Sequence, residues 1–207
     1  MTRGKFITIE GCEGVGKSTN MAFLKAHLTK NNISVVATRE PGGTYLAEKI
    51  RHILLEKDTE AIAESAELLL MFASRAQHIK HVIEPALAAG HWVISDRFTD
   101  ATYAYQGGGR LMKVSTIAWL ENWVQGHLRP DLTLLLDAPV DIGMQRVKER
   151  GDLDRFETEK THFFERVRRA YIVQSEMHPE RIKVIKANQS LAEVQAAIVN
   201  ALRVLLR

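Results

Sequence analysis

Apolar and polar positions along the chain follow two periods. Five short runs are rich in apolar and β-branched residues, at about 5–10, 33–38, 91–96, 132–137 and 181–187. Runs of this length and composition predict strands. Their near-continuous apolar character is that of strands buried in a parallel sheet. Between them lie longer stretches with the three-and-four spacing of helices. These predict helices over about 17–30, 45–55, 64–89, 114–128, 140–149, 158–176 and 191–205. In the third, Leu68, Leu69, Phe72, Arg75, Ala76 and Ile79 carry the period. Pro85 predicts a kink or break within it, and Gly90 its end. Strands alternating with helices imply an α/β fold, a five-stranded parallel sheet with helices on both faces.

In such a sheet, ligands sit beyond the carboxyl ends of the strands. The first strand runs into Gly11-Cys12-Glu13-Gly14-Val15-Gly16-Lys17-Ser18, followed by Thr19 and a helix. This is G-x-x-x-x-G-K-S between strand and helix, the context a phosphate-binding loop requires. Its glycines let backbone N–H groups turn inward, and the helix start adds positive dipole. Lys17 is set to reach the β- and γ-phosphates of a nucleoside triphosphate, and the Ser18 hydroxyl to hold Mg²⁺. The same rule picks out the turn Arg39-Glu40-Pro41-Gly42-Gly43-Thr44, then Asp96-Arg97, Asp137, and Ala187-Asn188-Gln189.

Asp96 ends an apolar strand, where a carboxylate holds Mg²⁺ or caps a helix. Arg97 beside it suits a second phosphate, because a guanidinium grips phosphate with two bonds; a surface ion pair is the alternative. Phe72 and Arg75 share a helix face, and an aromatic plane beside a fork of donors suits a nucleobase. A Phe on an apolar face is also ordinary core. Thr102, Tyr105 and Gln106 add polar and aromatic groups after Arg97, either for a ligand or for loop packing. Arg146, Arg150 and Arg155 bracket Gly151. They supply the cations that phosphoryl transfer needs, on a loop able to close, or they form a solvated charged loop with Asp152 and Asp154.

Composition narrows the classes. The chain has 207 residues, 45% hydrophobic and 26% charged, which suits one globular domain. Its net charge of +3 is too small to imply a nucleic-acid track. The single cysteine, Cys12, excludes an internal disulfide and a Cys₄ zinc site. Without a signal peptide or a membrane-length apolar run, the expected location is the cytoplasm.

Taken together, the phosphate loop, Arg39-Glu40-Pro41-Gly42-Gly43-Thr44, Asp96-Arg97-Phe98, Ala104-Tyr105-Gln106-Gly107-Gly108-Gly109-Arg110, Arg129-Pro130-Asp131 and the arginine-rich stretch at 150–155 resemble the bacterial thymidylate kinase (dTMP kinase) family over essentially the whole chain. The resemblance implies a P-loop nucleoside-monophosphate-kinase-like fold with a short lid at about 146–157. It implies transfer of the γ-phosphoryl of ATP-Mg²⁺ to dTMP, and a homodimer packed through helices. On the ATP side it points to Gly11, Cys12, Glu13, Gly14, Val15, Gly16, Lys17, Ser18, Thr19, Arg146, Ala187, Asn188 and Gln189. On the dTMP side it points to Glu13, Arg39, Pro41, Phe72, Arg75, Arg97, Thr102, Tyr105 and Gln106, with Phe72 stacking on thymine and Arg75 on the base edge. Ser18 and Asp96 are the implied metal residues, and Lys17, Arg97, Arg150 and Arg155 the implied catalytic cations.

Two features qualify the resemblance. Many relatives carry the stacking aromatic four residues before the arginine, where this chain has Met71. The phosphate loop has no arginine between Gly11 and Lys17, so the lid is the implied source of the catalytic cation. A kinase for another monophosphate such as dUMP is the nearest alternative. A P-loop switch binding a protein partner is a more distant one, and it leaves Arg39, Phe72, Arg75, Arg97 and Tyr105 without a role.

Overall fold

Strand burial follows strand position. The computed structural model describes residues 3–57, 60–151 and 154–206, apart from the side chain of Arg150. Its strands are β1 (Phe6–Glu10), β2 (Val35–Arg39), β3 (Trp92–Asp96), β4 (Leu132–Asp137) and β5 (Ile182–Lys186). All pairs are parallel, in the order β2-β3-β1-β4-β5. The central β1 is buried at every residue, whereas the edge strands β2 and β5 keep exposed positions. Lys183 and Lys186 on β5 suit an edge that must not pair further.

Helices cover both faces, as the alternation of side chains requires. The helices are α1 (Lys17–Lys30), α2 (Tyr45–Leu55), α3 (Glu64–His78), α4 (Glu84–Ala88), α5 (Thr99–Thr102), α6 (Val114–Gln125), α7 (Val140–Arg150), α8 (Thr161–Met177) and α9 (Leu191–Leu202). Phe6 and Val93 pack against Ile79, Ile83 and Leu87 on one side. Ile7 and Ile9 belong to the larger cluster on the other side, with Leu24 and Leu28 of α1 and Ile198 and Leu202 of α9.

Two stretches depart from the expected elements. The long helix over 64–89 is interrupted by a wide, π-type turn at Ile79–Ile83, and Pro85 falls in the first turn of α4. Proline lacks the N–H for the preceding turn and crowds the carbonyl four residues back, so the chain widens upstream of it. The stretch after Arg97 is not an open loop. It forms α5 and then a second wide turn, Tyr103–Gly109, against α8.

Register brings the chemistry to one end. Asp96 pairs with Ile9 of β1 and Arg39 of β2 at the carboxyl edge. The phosphate loop leaves β1 at that edge.

Candidate active site

A cavity of about 450 Å³ opens at the carboxyl end of the sheet. Gly14, Gly16, Lys17, Ser18 and Thr19 form one end, and Met71, Arg75, Thr102, Tyr105 and Gln106 line another part of its wall. Arg39, Arg51, Asp96 and Arg97 also line it.

The phosphate loop is built by its backbone. Gly16 precedes α1 at φ 89°, and no side chain caps the helix, so its first N–H groups remain for a ligand. Gly14 lies directly against α7: a Cβ on Gly14 would overlap the Gly143 carbonyl, and one on Gly143 would overlap the Glu13 carbonyl. The Lys17 ammonium donates to the carbonyls of Cys12 at 2.7 Å and Gly11 at 3.2 Å, and lies 3.6 Å from Glu13 Oε2. Cys12 contributes that carbonyl, while its thiol is buried in the core, as is Val15. Burial, the largest influence, raises the Cys12 thiol to about 12, so the neutral thiol prevails near neutral pH.

Arg97 is the hub of the site. It adopts φ 69°, an uncommon conformation for a non-glycine residue. Nη1 donates to Gly11 O at 2.8 Å and Tyr171 Oη at 3.1 Å; Nη2 donates to Glu13 Oε1 at 2.6 Å and Tyr105 Oη at 3.0 Å. Tyr105 also donates to Glu13 Oε1 at 2.8 Å, and its ring lies 4.7 Å from the guanidinium. Burial pushes the Glu13 carboxyl up, but Arg97 and Lys17 outweigh it and bring the pKa down to about 2. Burial disfavours the Arg97 cation, yet Glu13 reverses that and holds its pKa well above the ordinary value.

The residues fit a magnesium ion. Ser18 and Asp96 both line the cavity, and Asp96 Oδ1 is buried with no hydrogen-bond partner among the described residues. An orphaned carboxylate oxygen in a cationic cavity is the kind of group a metal satisfies. Among the described residues no cluster of three His, Cys, Asp or Glu offers a fuller set. That suits Mg²⁺, which keeps waters and takes one or two carboxylates plus substrate phosphates.

Elsewhere on the wall, Arg75 is buried, with Nη1 unpartnered among the described residues. It donates from Nη2 to Thr102 Oγ1 at 3.0 Å, while Gln106 Nε2 donates to Glu67 at 2.8 Å. Pro41 lines the cavity after a cis Glu40–Pro41 bond. Arg39 lines it too, with Nη2 2.9 Å from Glu48 Oε2.

Several expected ligand residues lie elsewhere. Phe72 is 2% exposed and packs with Leu68, Ile117 and Leu120. One residue is a 100° step round a helix, so it is Met71 that reaches the cavity wall. The Phe72 ring instead backs the Arg75 guanidinium at 4.8 Å. Arg155 is not a free lid cation: it donates to Leu54 O at 2.8 Å and Glu67 Oε2 at 2.6 Å. The Arg150 side chain and Asp152 lie outside the described residues. Arg146 lines the cavity and donates to Gly14 O at 3.2 Å. Ala187, Asn188 and Gln189 do not line it, because they follow the edge strand β5. Ala187 donates its N–H to Asp137 O at 2.7 Å.

Residues on the wall and behind it carried weaker sequence signals. Arg51 lines the cavity and donates to Pro41 O at 3.0 Å. It shares the helix stripe of buried Ala47 and Leu54, and a cation on an apolar stripe is a usable signal. Glu10, beneath Arg97, accepts from Phe98 N and Tyr171 Oη at 2.7 and 2.8 Å. No local pattern marks Tyr171 as its partner.

The thymidylate kinase family model matches residues 9–198. The chain belongs to the thymidylate kinase family. The family makes it a nucleoside-monophosphate kinase, a phosphotransferase. The chain is 57% identical to a thymidylate kinase of Vesicomyosocius okutanii, over 96% of this chain and 97% of that one. It is 58% identical to one of Pseudomonas entomophila, over 94% and 93%. A solved thymidylate kinase from Ehrlichia chaffeensis superposes with a TM-score of 0.78 at 32% identity, covering 97% of this chain and 99% of that one. Among the described residues no helix is long and apolar enough to cross a membrane.

Proposed function

We propose that the protein transfers the γ-phosphoryl group of ATP to the 5′-phosphate of dTMP, giving ADP and dTDP for dTTP synthesis. One observation carries this reading: the phosphate loop, Arg97 and the buried donor Arg75 line a single cavity. The ATP phosphates occupy the loop, where Lys17 exchanges its carbonyl partners for phosphate oxygens. Ser18 and Asp96 would hold a Mg²⁺ ion, which when bound would supply charge neutralisation at the phosphates. Arg97 and Arg39 hold the dTMP phosphate in line with the donor, and Arg51 adds positive charge on the same wall. Tyr105 lies by the sugar and disfavours a 2′-hydroxyl. Arg75 meets the base edge between Thr102 and Gln106, with Met71 against the ring. Arg146 lies against the adenine.

The acceptor phosphate is already anionic, so positioning and charge neutralisation do most of the work. Arg150 is the proposed source of cationic charge for the transferring group. Exposed apolar residues on α2, α3 and α6, among them Tyr45, Leu69, Trp119 and Trp123, favour the homodimer.

The test is ADP release from ATP-Mg²⁺ with dTMP, dUMP, UMP, CMP, AMP and GMP in turn. Strong turnover with dTMP alone, or far above dUMP, is the expected result. Preference for another monophosphate, or hydrolysis indifferent to all six, would overturn the assignment.

A further inference from the structure

The turn at 39–44 does more than present Arg39. Glu40 is 5% exposed, and both of its carboxylate oxygens are engaged. Oε2 accepts from Arg75 Nε at 2.7 Å, and Oε1 lies 2.9 Å from His78 Nδ1. His78 is completely buried, with Nε2 at 2.6 Å from Thr38 Oγ1. A carboxylate only accepts, so Nδ1 carries the hydrogen; in the neutral ring Nε2 then accepts from the Thr38 hydroxyl. The relay Thr38–His78–Glu40–Arg75 starts on β2, crosses to α3, touches the turn and returns to α3.

The turn is shaped to this relay. Gly43 has φ 86°, and a Cβ there would stand 2.6 Å from His78 Cδ2 and 2.7 Å from Thr38 Oγ1. The Gly42 N–H donates to Ser74 Oγ at 3.1 Å, fastening the turn to α3 one residue before Arg75. The relay explains Gly43 independently of any phosphate, while Gly42, at φ 132°, has no room for a Cβ beside Glu48.

Arg75 is fixed on two further sides. Nη2 donates to Phe98 O at 3.2 Å and Thr102 Oγ1 at 3.0 Å, and the guanidinium lies 4.8 and 5.2 Å from the rings of Phe72 and Phe98. Among the described residues Nη1 has no partner: it is buried, on a side chain that lines the cavity. A buried donor without an acceptor is costly until a ligand supplies one. A site built this way rejects a ligand that lacks the matching group.

We propose that Glu40 and His78 are positioning residues for base selection. They hold Arg75 so that Nη1 meets a base edge bearing a carbonyl oxygen and not one bearing an amino group. This deepens the dTMP assignment and rests on it.

The test compares His78→Leu, His78→Asn, His78→Gln and Glu40→Gln by steady-state kinetics, by dCMP inhibition and by thermal melting. An Asn amide can stand where Nδ1 stands, and a Gln amide where Nε2 stands. For His78→Leu the KM for dTMP should rise about tenfold, the loss of one charge-assisted hydrogen bond, with kcat within about twofold and the ATP KM unchanged. The ratio between the inhibition constant of dCMP and the KM of dTMP should narrow by a similar factor. His78→Asn should restore most of the wild-type values, and His78→Gln should not. Glu40→Gln should resemble His78→Leu. If His78→Leu does not fold, the Asn–Gln comparison and Glu40→Gln decide alone. Variants with lower melting temperatures but unchanged dTMP KM and base preference would reduce the relay to packing and overturn the proposal. An equal rise in the ATP KM would overturn it as well. Wild-type protein without dTMP-dependent turnover would instead sink the substrate assignment, before any variant is read.

Discussion

Nη2 of Arg97 donates to Oε1 of Glu13 across 2.6 Å, joining residues 84 positions apart. The pair sets the clamp before any phosphate arrives, and it ties the loop after β1 to the residue after β3. Its acid sensitivity follows from linkage. The Glu13 carboxyl titrates at about 2 in the folded protein, against 4.5 unperturbed. A lowered pKa contributes stability that is fully present above the unfolded value and is lost as pH falls through the folded one. Urea unfolding between pH 5 and 2.5 should therefore show a steeper loss for the wild type than for Glu13→Gln. Parallel curves would contradict the ion pair.

Glu10 should act in the opposite sense. Burial foremost, then Asp100, pushes its pKa up to about 8. A carboxyl raised in the fold is favourable below its unfolded pKa and becomes a liability as pH rises toward the folded value, by about 1.4 kcal/mol per unit of displacement. Wild-type stability should decline between pH 5 and 8 relative to Glu10→Gln, whose amide keeps a partner for Phe98 N and Tyr171. Chemical denaturation at pH 5, 6.5 and 8 checks this; a difference that does not change with pH contradicts it.

Met71 and Phe72 are neighbours with separate tasks. Phe72→Ala removes a core ring and should destabilise the fold by about 3–5 kcal/mol. Met71→Ala, at a partly buried position beside the core, should cost clearly less stability than that and raise the KM for dTMP. Paired melting and kinetic measurements distinguish them, and the reverse pattern would restore Phe72 to the base site.

Asp96→Asn keeps the side chain's shape but removes the charge behind the orphaned Oδ1. The Mg²⁺ concentration for half-maximal turnover should rise at least about tenfold. Chelation should abolish turnover in both proteins, and excess Mg²⁺ should restore it. An unchanged Mg²⁺ dependence would remove Asp96 from the metal site.

Much of the fold was legible because its signals are local. The run from Phe6 to Glu10, the loop that follows and the start of α1 at Lys17 are read from spacing alone, and strand β4 ends where its apolar run ends. Partnerships made by folding were not legible. Nothing near Arg155 says that its guanidinium will bond Glu67, 88 positions away. Met71 and Phe72 flank Arg75 on α3, 100° apart, and only the packing of Phe72 against Ile117 and Leu120 of α6 shows which one is left to the cavity. The wide turns at Ile79–Ile83 and Tyr103–Gly109 arise from packing as well as sequence, so periodicity did not mark them. Arg51 was missed although a cation on an apolar stripe is a usable signal, and its relation to Pro41 depends on how α2 follows the turn.

The contact between Gly14 and Gly143 has an evolutionary consequence. A side chain on Gly14 would meet the Gly143 carbonyl, and one on Gly143 would meet the Glu13 carbonyl. A larger residue at either place must push α7 away from the phosphate loop, and no side-chain change opposite can make room, since the obstacle at each is backbone. The crossing is a one-way commitment. Lineages descending from this chain can redesign the surface of α7 freely, but they reach a different spacing between that helix and the loop only by passing through a broken intermediate.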